Sequence, residues 1–299
     1  MAAELISTEP ATGATLWRGP VSDVAAEVEI ARGAWAEWAA RPLAVRAELL
    51  GRFANVVRGQ AETLADTISR ETGKPLWESR TEVESVIAKV EISIKAHGDR
   101  TAQRRFEGAM GARTALRHKP HGVLAVLGPY NFPMHLPNGH IVPALLAGNA
   151  VVFKPSEKTP LCGIKLVDCF HAAGIPAEVV RLVIGGPQEG KALAADAGID
   201  GLLFTGSAQT GIALNRQFAG MPDKILALEM GGNNPIIVWD APDPYTAAVL
   251  IAQSAFTSAG QRCTAARRLI VRNGAHEELI DQLKRLTARL IVGEPHSVP

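Results

Sequence analysis

The apolar positions change period once along the chain. Over the first hundred residues they recur at steps of three and four. Val24, Val28, Ala31, Trp35 and Trp38 make one such stripe, which predicts an amphipathic helix. The same spacing predicts helices over Ala44–Val57, Ala61–Arg70 and Glu78–His97, and Gly73-Lys74-Pro75 interrupts them as a turn does. Ahead of the helices, residues 1–22 carry Pro10, Gly13, Gly19 and Pro20 and read as an irregular or short-stranded lead-in.

Residues 101–119 are polar, with Arg104, Arg105, Arg113, Arg117 and His118 around Gly108 and Gly111. They read as an exposed β-hairpin centred on the glycines, or as a surface loop. The edge of such a hairpin is able to pair with another chain. From residue 121 short apolar runs alternate with helical stretches. Strands are predicted at Val123–Leu127, Ala150–Lys154, Val180–Ile184, Leu202–Phe204, Ile225–Leu228 and Ile236–Trp239. Helices are predicted at Leu136–Leu146, Pro160–Ala172, Gln188–Ala197 and Ala208–Phe218. This alternation is that of βαβ units, hence an α/β fold with a buried parallel sheet. Such sheets bind ligands beyond the carboxyl ends of their strands. A second unit of the same kind follows: helix Tyr245–Ser258, a turn at Cys263, strand Arg268–Arg272 and helix His276–Ile291. The stretch after Gly232 is short for a domain with its own core.

Composition narrows the classes. The chain has 299 residues, 47% hydrophobic and 20% charged, with a net charge of +1. That suits a globular protein with room for two domains. No basic excess exists to drive counterion release, so nucleic acid is not an expected partner. Three cysteines, Cys162, Cys169 and Cys263, make no disulfide framework. No secretory pattern and no long apolar run is visible, so a cytoplasmic protein without membrane association is expected.

Candidate chemistry lies just after the strands. Lys154 and Glu157 follow one: they suit ribose hydroxyls, an acid there favouring NAD over a 2′-phosphorylated cofactor, or they are a surface pair at a strand end. Gly206, Ser207, Ala208, Gln209, Thr210 and Gly211 run from a strand into a helix, as a phosphate-binding turn or a helix cap. Gly185 to Lys191 imitates a P-loop, but Ala192 stands where a metal-ligating hydroxyl is needed, so ATP is not expected. Glu229 precedes Gly231-Gly232; a carboxylate in a semi-apolar site acts as a general base, and a structural pairing is the alternative. Asn131 sits between Pro129 and Pro133, a rigid loop that aims its amide either at an oxyanion or at the loop's own backbone. Cys263 sits in a Gly-Gln-Arg turn, where nearby positive charge and backbone donors activate a thiolate. Cys162 and Cys169 share one apolar helical face and read as structural. The histidines are scattered without metal-ligand spacing, so no metal is expected.

These stretches, Pro129–Pro133, Phe153–Glu157, Phe204–Ser207, Leu228–Asn233 and Gly260–Cys263, occur in one order that resembles the NAD(P)-dependent aldehyde dehydrogenases. Within that family the chain resembles the succinylglutamate-semialdehyde dehydrogenases of arginine catabolism, on His135–His140, Leu226–Pro235 and Ala259–Cys263. The resemblance implies a doubly wound parallel sheet in an NAD-binding domain of residues 1–100 and 120–232. It also implies an oligomerisation hairpin at 101–119 and the first part of an α/β catalytic domain over 233–299. Cys263 is then the nucleophile that takes an aldehyde to a thiohemiacetal and a thioester. Asn131 and the Cys263 N–H form the oxyanion hole, Glu229 activates the hydrolytic water, Lys154 and Glu157 hold the adenosine ribose, and Gly206–Gly211 faces the pyrophosphate. NAD is the implied cofactor, a small aldehyde the substrate and a homo-oligomer the assembly. Family members continue further, which implies that these residues are a fragment. An inactive NAD-binding remnant, or a dehydrogenase of another specificity, is the alternative.

Overall fold

The computed structural model describes residues 3–102, 104–274 and 277–296. The lead-in is an antiparallel hairpin, β1 (Glu4–Thr8) and β2 (Thr15–Pro20). Four helices follow: α1 (Val24–Ala40), α2 (Leu43–Gly59), α3 (Ala61–Thr72) and α4 (Leu76–Thr101). Asp23 caps α1 by accepting the Ala26 N–H. The polar segment forms a hairpin of β3 (Arg104–Glu107) and β4 (Arg113–Leu116), exposed at every position. Gln103, in that segment, lies outside the described residues.

The central sheet comprises β5 (Val123–Leu127), β6 (Ala150–Lys154), β7 (Val180–Leu182), β8 (Gly201–Gly206) and β9 (Ile225–Met230). All pairings are parallel, in the order β7-β6-β5-β8-β9. The crossovers are α5 (His135–Leu146), α6 (Pro160–Ala172), α7 (Pro187–Ala195) and α8 (Ala208–Phe218). The first two step one way across the sheet and the last pair of strands lies the other way. Right-handed crossovers then put α5 and α6 on one face and α7 and α8 on the other. The packing agrees: α2 lies against α5 and α6, and α1 against α7. With both faces covered, β5 and β6 are wholly apolar runs, buried but for half-buried Leu127 and with only the terminal Lys154 polar.

The chain closes with a smaller parallel pair, β10 (Asn234–Val238) and β11 (Ala266–Val271), joined by α9 (Pro244–Phe256) and followed by α10 (Glu277–Thr287). Its own core is small: Ala248, Ile251 and Leu279 are buried against Ile236, Val238, Leu269 and Val271. The alternate residues Ile237 and Ile270 face away and are exposed. Several boundaries differ from the pattern-based expectation: β7 ends at Leu182 and not Ile184, β11 spans Ala266–Val271 and not Arg268–Arg272, and the last helix ends at Thr287 and not Ile291. The strand expected from Ile236 starts at Asn234, because the register shifts at Pro235 and the proline, lacking an N–H, is accommodated there. The helix expected to reach Ser258 stops at Phe256, since Ser258, Ala259 and Gly260 take positive φ values of 59°, 53° and 70°. The expected start of the last helix, His276, lies outside the described residues.

Buried carboxylates join the helical segment to the sheet. Glu71 accepts the Leu161 and Cys162 amides at the start of α6 and the Ser7 hydroxyl from β1. Burial, opposed by these bonds, raises its pKa. Glu82 pairs with Lys74 at 2.6 Å, with side chains 0% and 1% exposed. Its other oxygen accepts the Met134 and His135 amides at the start of α5. Glu82→Ala orphans a buried ammonium and two amides together, so it is expected to cost about 3–5 kcal/mol, read as a lowered urea midpoint; Glu84→Ala, on the exposed face of α4, leaves the midpoint in place.

Candidate active site

The five strands of the central sheet all end at one cleft. It has a volume of about 1260 Å³ and opens where the strand order reverses between β5 and β8. Asn131 comes to it from the loop after β5, Lys154 and Glu157 from the end of β6, Gly206, Ser207, Gln209 and Thr210 from the β8–α8 turn, and Glu229 from the end of β9. Cys263 reaches it from the turn between α9 and β11. Ala208 and Gly211 lie in the first turn of α8 without lining the cleft. Gly190 and Lys191 also line the wall; there Glu189 accepts the Gly186 N–H at 2.7 Å and caps α7, so this turn is a helix cap.

The turn that presents Cys263 is held from three sides. The Ser258 side chain is buried and its hydroxyl donates to Glu78 Oε2 at 2.6 Å. Arg262 Nε donates to Ser258 Oγ at 3.0 Å, with its guanidinium 3.9 Å from the same Glu78. Gln261 Nε2 donates to the Thr72 carbonyl at 2.8 Å. From the sheet side, Asn131 Nδ2 donates to the Gln261 carbonyl at 2.8 Å, and Asn234 Nδ2 donates to the Cys263 carbonyl at 2.5 Å. Three consecutive left-handed residues, two of them not glycine, are costly conformations. These bonds hold them, and the thiol they deliver is exposed. The Asn131 amide thus bonds backbone, but across to the cysteine turn and not within its own loop.

The charged groups divide. Lys154 is buried, its Nζ donates to the Pro155 carbonyl at 3.0 Å, and burial lowers its pKa against the pull of Glu157 and Glu189. Glu229 is exposed at the β9 end and lines the cleft. Beside it on β8, Thr205 Oγ1 bonds His140 Nε2 at 3.1 Å. Burial first, and Lys89 in addition, holds the His140 imidazole below its ordinary pKa, against an opposing pull from Glu229.

The groups fit a dinucleotide. Ser207 Oγ caps α8 by accepting the Thr210 N–H, while the Ala208 and Gln209 amides have no carbonyl one turn back to bond and suit an anion. Gly211 lets α8 close on β9, since a methyl there would overlap Met230 Sδ. The pattern of apolar positions did not single out Glu78, Ser258, Asn234 or His140. The available signal was Glu78 and Glu82 four residues apart on the apolar face of a helix, since a carboxylate at a core position needs a partner.

This chain belongs to the aldehyde dehydrogenase family: the family model matches residues 3–298. A curated relative from Sphingopyxis alaskensis, named N-succinylglutamate 5-semialdehyde dehydrogenase, is 69% identical over all 299 residues. The chain spans 62% of that relative's length. Among solved structures, an E. coli NADP-dependent enzyme is 31% identical with a TM-score of 0.92 over 99% of this chain and 62% of its own. An NAD-dependent aldehyde dehydrogenase from Sinorhizobium meliloti is 28% identical with a TM-score of 0.92 over 99% of this chain and 60% of its own. Among the described residues no helix is long and apolar enough to cross a membrane.

Two outcomes are expected. Iodoacetamide labels the native chain at Cys263 alone, because burial holds Cys162 well above the usual thiol range and pushes Cys169 up to about 11; mass spectrometry finds one adduct, and three after denaturation. The second concerns pH. His135 and His140 both titrate below the ordinary histidine value, so the folded chain binds fewer protons than the unfolded chain as pH falls through about 6.5. Their stability contribution is complete above that value and is lost below it, and His140→Gln flattens the fall in urea midpoint between about pH 7.5 and 5.5.

Proposed function

We propose that these residues form the nucleophile, the base and the dinucleotide surface of a nicotinamide-dependent aldehyde dehydrogenase acting on N-succinylglutamate 5-semialdehyde. The observation that carries the reading is the bond from Asn131 Nδ2 to the Gln261 carbonyl, which ties a side-chain amide to the turn that presents an exposed thiol. The substrate is supported by the name of the S. alaskensis relative and its 69% identity.

The Cys263 thiolate attacks the aldehyde carbon, and the carbonyl oxygen becomes an oxyanion held by the Asn131 amide and the Cys263 N–H. A bound nicotinamide supplies a hydride acceptor. The thioester left on Cys263 is then hydrolysed: Glu229 takes a proton from water as its oxygen adds to the thioester carbonyl, and the thiolate leaves. Lys154 and Glu157 hold the adenosine ribose, and the Gly206–Gly211 turn holds the pyrophosphate. Glu157 favours NAD, since a carboxylate accepts from a 2′-hydroxyl and repels a 2′-phosphate. The protein works in the cytoplasm, where thiols stay reduced. The β3–β4 hairpin, with exposed Phe106, Met110 and Leu116, pairs with a second copy of the chain.

Turnover is tested with NAD⁺ and the semialdehyde. Cys263→Ala is expected to abolish it. Glu229→Gln is expected to lower it roughly 10²–10⁴-fold while a covalent acyl adduct accumulates on Cys263, seen by mass spectrometry. Unchanged turnover in Glu229→Gln sinks the hydrolytic assignment. Light scattering tests the hairpin: Phe106→Glu is expected to lower the mass toward that of one chain.

A further inference from the structure

One helix face runs along the cleft and ends in a cation that has no ion-pair or hydrogen-bond partner among the described residues. Glu78, Glu82, Val86 and Lys89 are spaced by four, four and three residues, so they share one side of α4. Three of them meet a known group. Glu78 holds the Cys263 turn, Glu82 holds the Met134 and His135 amides, and the Val86 carbonyl accepts Asn138 Nδ2 at 3.0 Å. Helices α4 and α5 therefore run side by side in the same direction. The next step along the face is Lys89, whose Cε lies over Gly139, 3.8 Å from where a β-carbon would stand. Lys89 lines the cleft and its ammonium makes no ion pair or hydrogen bond among the described residues.

Two imidazoles of α5, those of His135 and His140, lie within electrostatic reach of this ammonium. His135 and His140 both line the cleft. His135 Nδ1 is buried without a hydrogen-bond partner. Both rings sit below their ordinary pKa, first from burial and then from Lys89 among other charges. Of the two acids that act on these rings, Glu82 is committed to Lys74 and two amides, while Glu229, at the β9 end, pulls on His140 and makes no ion pair with Lys89 among the described residues. The segment His135–His140 and Lys89 thus make a cationic wall with one charge unpaired among the described residues and two polar rings.

We infer that Lys89, near His135 and His140, is the cationic contact for a carboxylate of the aldehyde substrate. This rests on the succinylated-semialdehyde reading above. That substrate carries one carboxylate near the aldehyde and another at the far end of its succinyl arm. Lys89 lies eleven residues along α4 from Glu78, roughly 16 Å of helix, so it stands away from the thiol, where an arm and not an aldehyde would lie. The lysine lies across α5 at Gly139 and reaches the cleft.

The test uses the intact chain and the alkylation rate of Cys263 by iodoacetamide, which needs no turnover. N-Succinylglutamate, the stable dicarboxylate, is expected to slow alkylation of the wild type. In Lys89→Met the half-protecting concentration is expected to rise roughly ten- to hundredfold, the range for a hydrogen bond to a charged group. Lys89→Arg recovers most of the protection. The NAD⁺ concentration that half-maximally alters the rate is expected to be the same in wild type and Lys89→Met. Equal protection by N-succinylglutamate in wild type and variant overturns the role of Lys89 and leaves the substrate reading standing. Failure to protect the wild type overturns both. A shift seen for NAD⁺ or inorganic phosphate, with none for N-succinylglutamate, assigns the ammonium to phosphate and also overturns the proposal. Folding of each variant is checked by its thermal midpoint; if Lys89→Met is unfolded, Lys89→Gln decides the question by the same comparison.

Discussion

Glu78 and Glu82 are one helical turn apart on α4, and together they position the thiol and the amide. Glu78 takes the Ser258 hydroxyl and sits near Arg262, so it anchors a turn whose backbone would not otherwise stay left-handed for three residues. Glu82 takes two amides at the start of α5 and so sets the end of the loop that carries Asn131. A carboxylate is costly to bury unless its lone pairs are filled. Here the partners that fill them are the Lys74 ammonium and the backbone and hydroxyl groups of the candidate site. The cost of desolvation is thereby coupled to the placement of the nucleophile.

The sheet supplies the other half of the geometry. Its strand order reverses between β5 and β8, so the connections on either side splay apart and leave a cleft at the carboxyl ends. Each strand end contributes a different group, and none needs a long loop to reach the cleft. Cys263 enters from outside the sheet, from the small β10–β11 unit. Asn234 bridges the two, since its amide bonds the Cys263 carbonyl two residues after the Gly231-Gly232 pair that follows β9. The base candidate and the nucleophile candidate are thus joined through a short stretch of backbone.

Much of the fold was legible because its signals are periodic. β5, β6, α6 and α8 fall at the residues that their apolar patterns predict, and the β3–β4 hairpin forms around Gly108 and Gly111. One misread boundary is set by a contact far away in sequence. The helix before Cys263 ends early because Ser258 is drawn to Glu78, a residue 180 positions distant. The exposure of Glu229 was likewise not legible, since what covers a strand end depends on neighbours that local pattern does not encode.

The sequence by itself determined the α/β class, the order of the strands along the chain, and the residue types available after each strand, because local periodicity and turn chemistry act over a few residues. It also carried the resemblance to a family through five short stretches. Only the tertiary structure decided that Glu78, Ser258, Arg262 and Asn131 meet around the Cys263 turn, and that Lys89 lines the cleft near His135 and His140 without an ion pair among the described residues. Those relations join residues that are tens to hundreds of positions apart. They follow from the packing of α4 against α5 and the reversal of the sheet, which no local pattern records.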